Sequence, residues 1–270
     1  MKIKKLDHLS SIFHEYDAFI IDLWGVMHNG VSLNNSAVKA VSELQSNGKR
    51  IVFLSNAPRP TKKVVEFLKK MKMEDRFLKN IFTSGEAAIN SLKKNKFGLK
   101  FYHLGPKRDD SLFSDIKINK TTLDKCDFIL CTGLFDGESE NLQFYNDLLK
   151  NFTKKKLVCT NPDLIVHRGG EEEYCAGKIA EIFESLGGKV VYFGKPHKEV
   201  YISCLKSDQK TLVIGDNLKT DIKGANNMNL DSIFITSGVY KSKTIDEKLM
   251  DKLLAEHNVT ANYFQKELTW

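Results

Sequence analysis

The stretch Phe19-Ile20-Ile21-Asp22-Leu23-Trp24-Gly25-Val26 decides the architecture of this chain. An apolar run closed by an acid and a glycine predicts a buried strand that ends in an exposed carboxylate and then turns. Strands buried on both faces belong to parallel sheets. In open parallel sheets, ligands collect at the carboxyl ends of the strands. Three later runs end in the same way. Ile51-Val52-Phe53-Leu54 is followed by Ser55-Asn56, and Val190-Val191-Tyr192-Phe193 by Gly194-Lys195-Pro196. The third, Thr211 to Ile214, leads into Gly215-Asp216-Asn217-Leu218-Lys219-Thr220-Asp221.

Outward from that strand the chain alternates. A strand over 17–23 leads to a helix over 35–47, stopped by Asn47-Gly48, then a strand over 50–55 and a helix from Thr61 to Met71. Ile81 to Ser84 reads as a short strand before a helix over 85–95. This rhythm predicts an α/β fold with a doubly wound parallel sheet and right-handed crossovers. A middle section repeats the pattern, with strands at Phe101 to Leu104, Phe128 to Cys131 and Leu157 to Thr160, and helices over 141–151 and 175–186. Strands from Val190 to Phe193, Thr211 to Ile214 and Ser232 to Thr236 return to the first rhythm. Because the strand-end polar groups sit in the first and last sections, the expected organisation is a core of 1–96 and 189–270 interrupted by an inserted module of 97–188. Within that module, Asn161 to Gly177 reads as an irregular polar loop.

Length and composition fit a globular protein with room for a proper core: 270 residues, 41% hydrophobic and 28% charged. The net charge of +7 comes from scattered lysines in short runs, which predicts a solvated surface and no nucleic-acid face. Cys126, Cys131, Cys159, Cys175 and Cys204 are odd in number and contain no Cys-x-x-Cys, so buried, reduced thiols of a cytoplasmic protein are expected. The sequence has no apolar stretch that would serve as a signal peptide or span a bilayer, and no membrane partner is expected.

Phosphoryl transfer to a carboxylate brings negative charge to negative charge, so the site must provide a cation and hydrogen-bond donors. Mg2+ suits the task because it binds hard oxygens. Asp22 can offer one oxygen to phosphorus and one to a metal, Asp216 can complete the cage, and Asp221 can orient metal waters or Lys195. Ser55 and Asn56 at a helix entrance are suited to phosphate oxygens, or to a plain N-cap. Lys195 can neutralise the bound phosphate. The partner implied is a small phosphorylated metabolite.

Together these four pieces resemble the haloacid dehalogenase superfamily of phosphatases, and the insertion resembles the α/β cap of its class IIA branch, which includes nitrophenyl-phosphatase-like enzymes. Asp22 to Gly30 is similar to the Asp-Leu-Trp-Gly-Val-x-His-x-Gly run of one subfamily. So are Asn161-Pro162-Asp163, Arg168-Gly169-Gly170 and Tyr174-Cys175-Ala176-Gly177. The resemblance implies Asp22 as nucleophile, Ser55 as phosphate contact, Lys195 as stabiliser and Asp216 as metal ligand. It also implies that the backbone carbonyl of Trp24 is a further Mg2+ ligand. A homodimer formed through the cap is a further expectation.

One departure stands out. Phosphatases of this superfamily mostly carry a second Asp two residues after the nucleophile as general acid and base, and here that residue is Trp24. An indole cannot shuttle protons at neutral pH. Three readings follow. His28 can supply the proton, with His167 or Asp163 behind it. The leaving group can be good enough to need none. Or the protein binds phosphometabolites and barely turns them over. Trp24 itself reads as packing under the cap or stacking on substrate. Asn161, Asp163, His167 and Arg168 are candidates for contact with the rest of the substrate, or for cap–core contacts. Cys175 reads as a packed thiol.

Overall fold

Phe19 and Ile21 face one side of a central strand and Ile20 the other, and their alternation builds a core on each face of one sheet. These relations come from a computed structural model, described over residues 3–113, 119–168, 171–240 and 246–270. Gly169 and Gly170 of the Arg-Gly-Gly motif lie outside the described residues.

In chain order the strands are β1 (Lys4–Lys5), β2 (Ala18–Ile21), β3 (Arg50–Ser55), β4 (Ile81–Thr83), β5 (Lys100–Leu104), β6 (Asn119–Lys120) and β7 (Phe128–Cys131). They continue as β8 (Lys156–Cys159), β9 (Ile165–Arg168), β10 (Glu171–Tyr174), β11 (Lys189–Tyr192), β12 (Thr211–Gly215), β13 (Asp231–Ile235) and β14 (Tyr263–Gln265). The helices are α1 (Asn35–Ser46), α2 (Thr61–Lys70), α3 (Ser84–Leu92), α4 (Leu142–Leu149), α5 (Ala176–Ser185), α6 (Lys198–Ile202), α7 (Lys223–Asn227) and α8 (Glu247–Glu256).

The larger sheet has the order β1-β14-β13-β12-β2-β3-β4, with every pairing parallel. α1 and α2 cover one face through Ala40, Val41, Leu44, Val64 and Leu68. α6 and α7 cover the other through Val200, Tyr201 and Ala225. The smaller sheet, β11-β8-β7-β5-β6, is also parallel. α4 and α5 pack on one face of it through Tyr145, Leu149, Ile179 and Phe183. Ile89 and Leu92 of α3 meet its other face at Phe101, Phe128 and Leu130, so α3 is held between the two modules.

The structure departs from the sequence reading at two places. β11 pairs with β8, Lys189 opposite Lys156 and Tyr192 opposite Cys159, so it belongs to the inserted sheet. The chain returns to the core only at Phe193 to Lys195. Sequence pattern gives a strand's existence but not its neighbour, and β11 reads equally well on either side of the boundary. The stretch read as an irregular loop holds the antiparallel pair β9 and β10. The run Glu171-Glu172-Glu173 hid it, because the acids find partners across the pair: Arg168 Nε meets Glu173 Oε1 at 2.7 Å and His167 Nε2 lies 3.7 Å from Glu172 Oε2.

All five cysteines are buried and free, as their spacing predicts. Cys175 sits at the start of α5 with burial holding its thiol well above the usual range, which fits the packed-thiol reading. No helix among the described residues is long and apolar enough to cross a membrane.

Candidate active site

The larger sheet reverses its winding between β2 and β12. From β2 the chain steps outward to β3 and β4, and from β12 it steps the other way to β13 and β14. Such a switch point opens a crevice at the carboxyl ends of the strands. Asp22 and Asp216 leave the sheet there side by side, with Ile21 in register with Ile214 and the Asp22 amide donating to the Ile214 carbonyl at 2.9 Å. Gly25 and Gly238 wall in Asp216. A Cβ at either position would collide with the Asp216 carboxylate, and Gly25 also needs φ +93°. The Val239 amide fixes Asp216 Oδ2 at 2.8 Å.

A single π-helical turn, Leu218–Ile222, brings the chain back to the crevice. Asn217 caps it through Lys219 N at 2.9 Å, while Asn217 N donates to Asp221 Oδ2 at 3.2 Å. Lys195 enters from the loop after β11, 2% exposed, with Nζ 2.5 Å from Asp22 Oδ1 and 2.7 Å from Asp221 Oδ1. Its backbone is clamped by Asn56: Lys195 N donates to Asn56 Oδ1 at 2.8 Å, and Asn56 Nδ2 donates to Lys195 O at 3.2 Å. Ser55 ends β3 beside it. Its Oγ accepts from Ala57 N at 3.2 Å, which leaves the hydroxyl hydrogen available to an incoming phosphate oxygen.

Charge in this crevice does not balance. Oxygens of Asp22, Asp216 and Asp221 lie within 4.8 Å of one another, all three residues are buried, and Lys195 pairs with two of them. Burial pushes the Asp22 carboxyl up to about 8 although Lys195 pulls against it, and the Asp221 and Asp163 charges add to the rise. Burial, then the charges of Asp22 and Asp221, hold Asp216 well above the carboxylate range. Burial alone would lower Lys195, but Asp22 and Asp221 reverse that and keep it charged. A cluster of hard oxygens with excess negative charge is the donor set that a divalent cation of the Mg2+ type requires.

The residues around this centre divide differently from the sequence expectation. His28 is 2% exposed, and burial pushes its imidazole down to about 4, so it is neutral near pH 7. Its Nδ1 accepts from Gly30 N at 3.1 Å, and its ring packs edge-on against Trp24 and Phe67 at 5.1 and 5.6 Å. These contacts fit the turn-shaping reading of His28. Trp24 docks the insertion: Nε1 donates to the His167 carbonyl at 2.9 Å, and the Arg168 guanidinium lies over the indole at 5.4 Å. His167 and Arg168 therefore meet the core through Trp24. Asn161 shapes its own loop, accepting from Asp163 N at 3.1 Å. Asp163 reaches into the crevice, where Asn56 Nδ2 and Asn217 Nδ2 both donate to its Oδ1, at 3.2 and 3.3 Å. Burial raises its carboxyl to about 6, with Lys195 opposing. Trp24→Phe keeps a ring under the insertion but removes its donor. Thermal unfolding of this variant is expected to show a loss of about 0.5–1.5 kcal/mol.

All of these groups line one cavity of about 1420 Å³ between the two sheets, large enough for a small organic phosphate. Sequence reading assigned no role to Asn217, Gly238 or Val239. Asn217 adjoins Asp216 in the motif, which is a usable signal. Gly238 and Val239 lie in the loop after β13, where only the fold shows that they meet Asp216.

Comparison with known proteins agrees with this fold. The family profile of haloacid dehalogenase-like hydrolases matches residues 19–119, and a second profile of the same superfamily matches residues 192–260. The 5'-nucleotidase YutF of Bacillus subtilis is 24% identical over 242 residues, covering 87% of this chain and 92% of its own. An acid sugar phosphatase of Staphylococcus haemolyticus is 22% identical over 86% of this chain and 90% of its own. Among solved structures, a haloacid dehalogenase-like hydrolase from Brucella suis superposes with a TM-score of 0.86 at 27% identity, covering 98% of this chain and 100% of its own.

Proposed function

This chain belongs to the haloacid dehalogenase-like hydrolases, in their class IIA branch, and we propose that it is a Mg2+-dependent phosphatase acting on a small phosphomonoester through a phosphorylated Asp22. The observation that carries this reading is the Lys195 ammonium held between Asp22 and Asp221, with Asp216 beside them, at the switch point of the larger sheet. Relatives that match over most of their length are a 5'-nucleotidase and an acid sugar phosphatase, and this supports a phosphomonoester hydrolase.

In this reading the Asp22 carboxylate attacks phosphorus. The Ser55 hydroxyl and the Lys195 ammonium hold phosphate oxygens, and the Asn56 clamp fixes Lys195 in place. Asp22, Asp216 and the Trp24 carbonyl would hold Mg2+, and Asp221 positions Lys195. When bound, the ion neutralises charge that gathers on the phosphoryl oxygens in the transition state. Trp24 gives the indole to cap docking and keeps only its backbone for the site.

The test is phosphate release from a broad panel of phosphomonoesters, with and without Mg2+. Turnover on sugar or nucleotide esters is expected; saturable binding without turnover would favour a non-catalytic binder. Asp216→Asn replaces a carboxylate oxygen by a weaker neutral donor. The Mg2+ concentration at half-maximal activity should rise by roughly tenfold or more, equivalent to about 1.4 kcal/mol. The stabilisation of wild type against heat by Mg2+ should shrink in parallel. An unchanged half-saturation would remove Asp216 from the metal site.

A further inference from the structure

We infer that Asp163 is the proton carrier of the reaction, standing in from the inserted module for the carboxylate that position 24 lacks. The inference rests on the phosphatase reading above and deepens it.

Three observations place Asp163 in that role. First, it is bound by the site itself. Asn56 follows Ser55 at the end of β3 and Asn217 follows Asp216 after β12, so the amides that hold Asp163 Oδ1 belong to the two loops that carry the phosphate contact and the metal ligand. Both address the same oxygen, and the Thr220 side chain is a further partner of the carboxyl. Second, its backbone is anchored at both ends. Asp163 N donates to Asn161 Oδ1 at 3.1 Å, and Asp163 O accepts from Gly177 N at 3.2 Å. A Cβ on Gly177 would strike the Asp163 carbonyl, so the close approach depends on glycine there. Third, the other candidates are occupied. His28 is pinned by Gly30, and the Arg168 guanidinium pairs with Glu173 at 2.7 Å and cannot lose a proton. The His167 carbonyl is bonded to Trp24 and its ring faces Glu172.

The choice of partners matters chemically. The Lys195 charge pulls on Asp163, but Lys195 makes its ion pairs with Asp22 and Asp221 and leaves Asp163 to the two amides. Amide N–H groups donate equally well to a carboxyl carbonyl oxygen and to a carboxylate, so Asn56 and Asn217 hold the group still while its charge changes. Burial raises the carboxyl to about 6 against the pull of Lys195, a range from which acid and base roles are both accessible. Asp163 lines the same cavity as Asp22, Ser55 and Lys195.

In the first step an Asp22 oxygen forms a bond to phosphorus. The bond from phosphorus to the leaving oxygen breaks with its electron pair, and the Asp163 carboxyl proton passes to that oxygen, releasing the alcohol. In the second step a water oxygen attacks phosphorus and the Asp22–phosphorus bond breaks with its pair to Asp22. The water proton goes to Asp163, which restores both groups and frees phosphate.

The experiment compares wild type, Asp163→Asn and Asp163→Glu on glycerol phosphate and on 4-nitrophenyl phosphate. Glycerol needs a proton to leave and nitrophenol scarcely does. Asp163→Asn is expected to lose about 10²–10⁴ in kcat on glycerol phosphate. On the aryl ester its first step should survive while hydrolysis of the aspartyl phosphate slows, giving a burst of nitrophenol in rapid mixing. Asp163→Glu, which keeps a carboxyl, should recover part of the glycerol phosphate rate. The ratio between the two esters is internal to each preparation, so partial loss of folded protein cancels. Equal losses on both esters with no burst would overturn the inference in favour of a purely structural role, as would an unchanged rate on glycerol phosphate. If Asp22→Asn is inactive in either case, the phosphatase reading stands while this one falls. Activity in Asp22→Asn would remove both.

Discussion

Asp22→Asn is expected to lower turnover by about 10⁴–10⁶, the range seen when an enzyme loses its nucleophile, while the protein stays folded. The amide occupies the space of the carboxyl but is too weak a nucleophile to form the acyl phosphate. Folding should survive for an electrostatic reason. The Asp22 carboxylate is buried beside Asp216 and Asp221, and its carboxyl is raised to about 8, so the fold disfavours its charge at neutral pH. Removing that charge relieves repulsion, and Lys195 keeps Asp221 as a partner at 2.7 Å. Thermal melting without divalent cation should therefore give a midpoint no lower than wild type. The sign follows from linkage. A carboxyl raised in the folded state contributes stability below its unfolded pKa and loses it as pH climbs through the folded value. Loss of activity accompanied by collapse of the melt would mean a structural role for Asp22. Retained turnover would exclude covalent catalysis through it.

Lys195→Met should have the opposite signature, losing both activity and stability. The side chain is of similar length but carries no charge, and it leaves Asp22 and Asp221 buried without their shared cation. Breaking a buried pair by deleting one partner costs about 3–5 kcal/mol. In a chain of this size that is a fall in melting temperature on the order of 10 °C. Mg2+ should restore part of the lost melting temperature, because a divalent cation neutralises the same carboxylates. It should not restore turnover, since phosphate still lacks the Lys195 contact. A melt insensitive to the substitution would show that the Asp22–Lys195–Asp221 cluster carries no net coupling.

Much of the architecture was legible in residues 19–26 and their three echoes. Period-2 burial of Phe19, Ile20 and Ile21 on two faces, with a carboxylate at the tip, implies a parallel sheet with its chemistry at one edge. The strand ends at Ser55, Lys195 and Asp216 follow the same logic, and the structure gathers them where the winding reverses. The positions of α1, α2 and α5 follow from periodicity and stop signals, which act over a few residues. Two kinds of feature escaped. The strands β1, β6 and β14 and the β9–β10 pair are too short or too polar to show a pattern, and they exist because a neighbour supplies hydrogen bonds. The side of the boundary on which β11 falls was equally hidden, because pairing partners are a property of two segments.

The candidate site divides along the same line. Sequence determined which residue types stand at strand ends, and with them the proposed nucleophile Asp22, the lysine, the acidic cluster and the absence of an acid at Trp24. It left Asn161, Asp163, His167 and Arg168 as one undifferentiated group. Only the tertiary structure decided that His167 and Arg168 go to Trp24, that Asn161 serves its own loop, and that Asp163 alone of the four is held by the core amides Asn56 and Asn217. It likewise buried His28 and set its Nδ1 on the Gly30 amide. The physical reason is range. Strand propensity, turn chemistry and residue type are local and are written in adjacent letters. Burial, electrostatic coupling and hydrogen bonds between residues far apart in the chain arise only when the two modules close on one crevice.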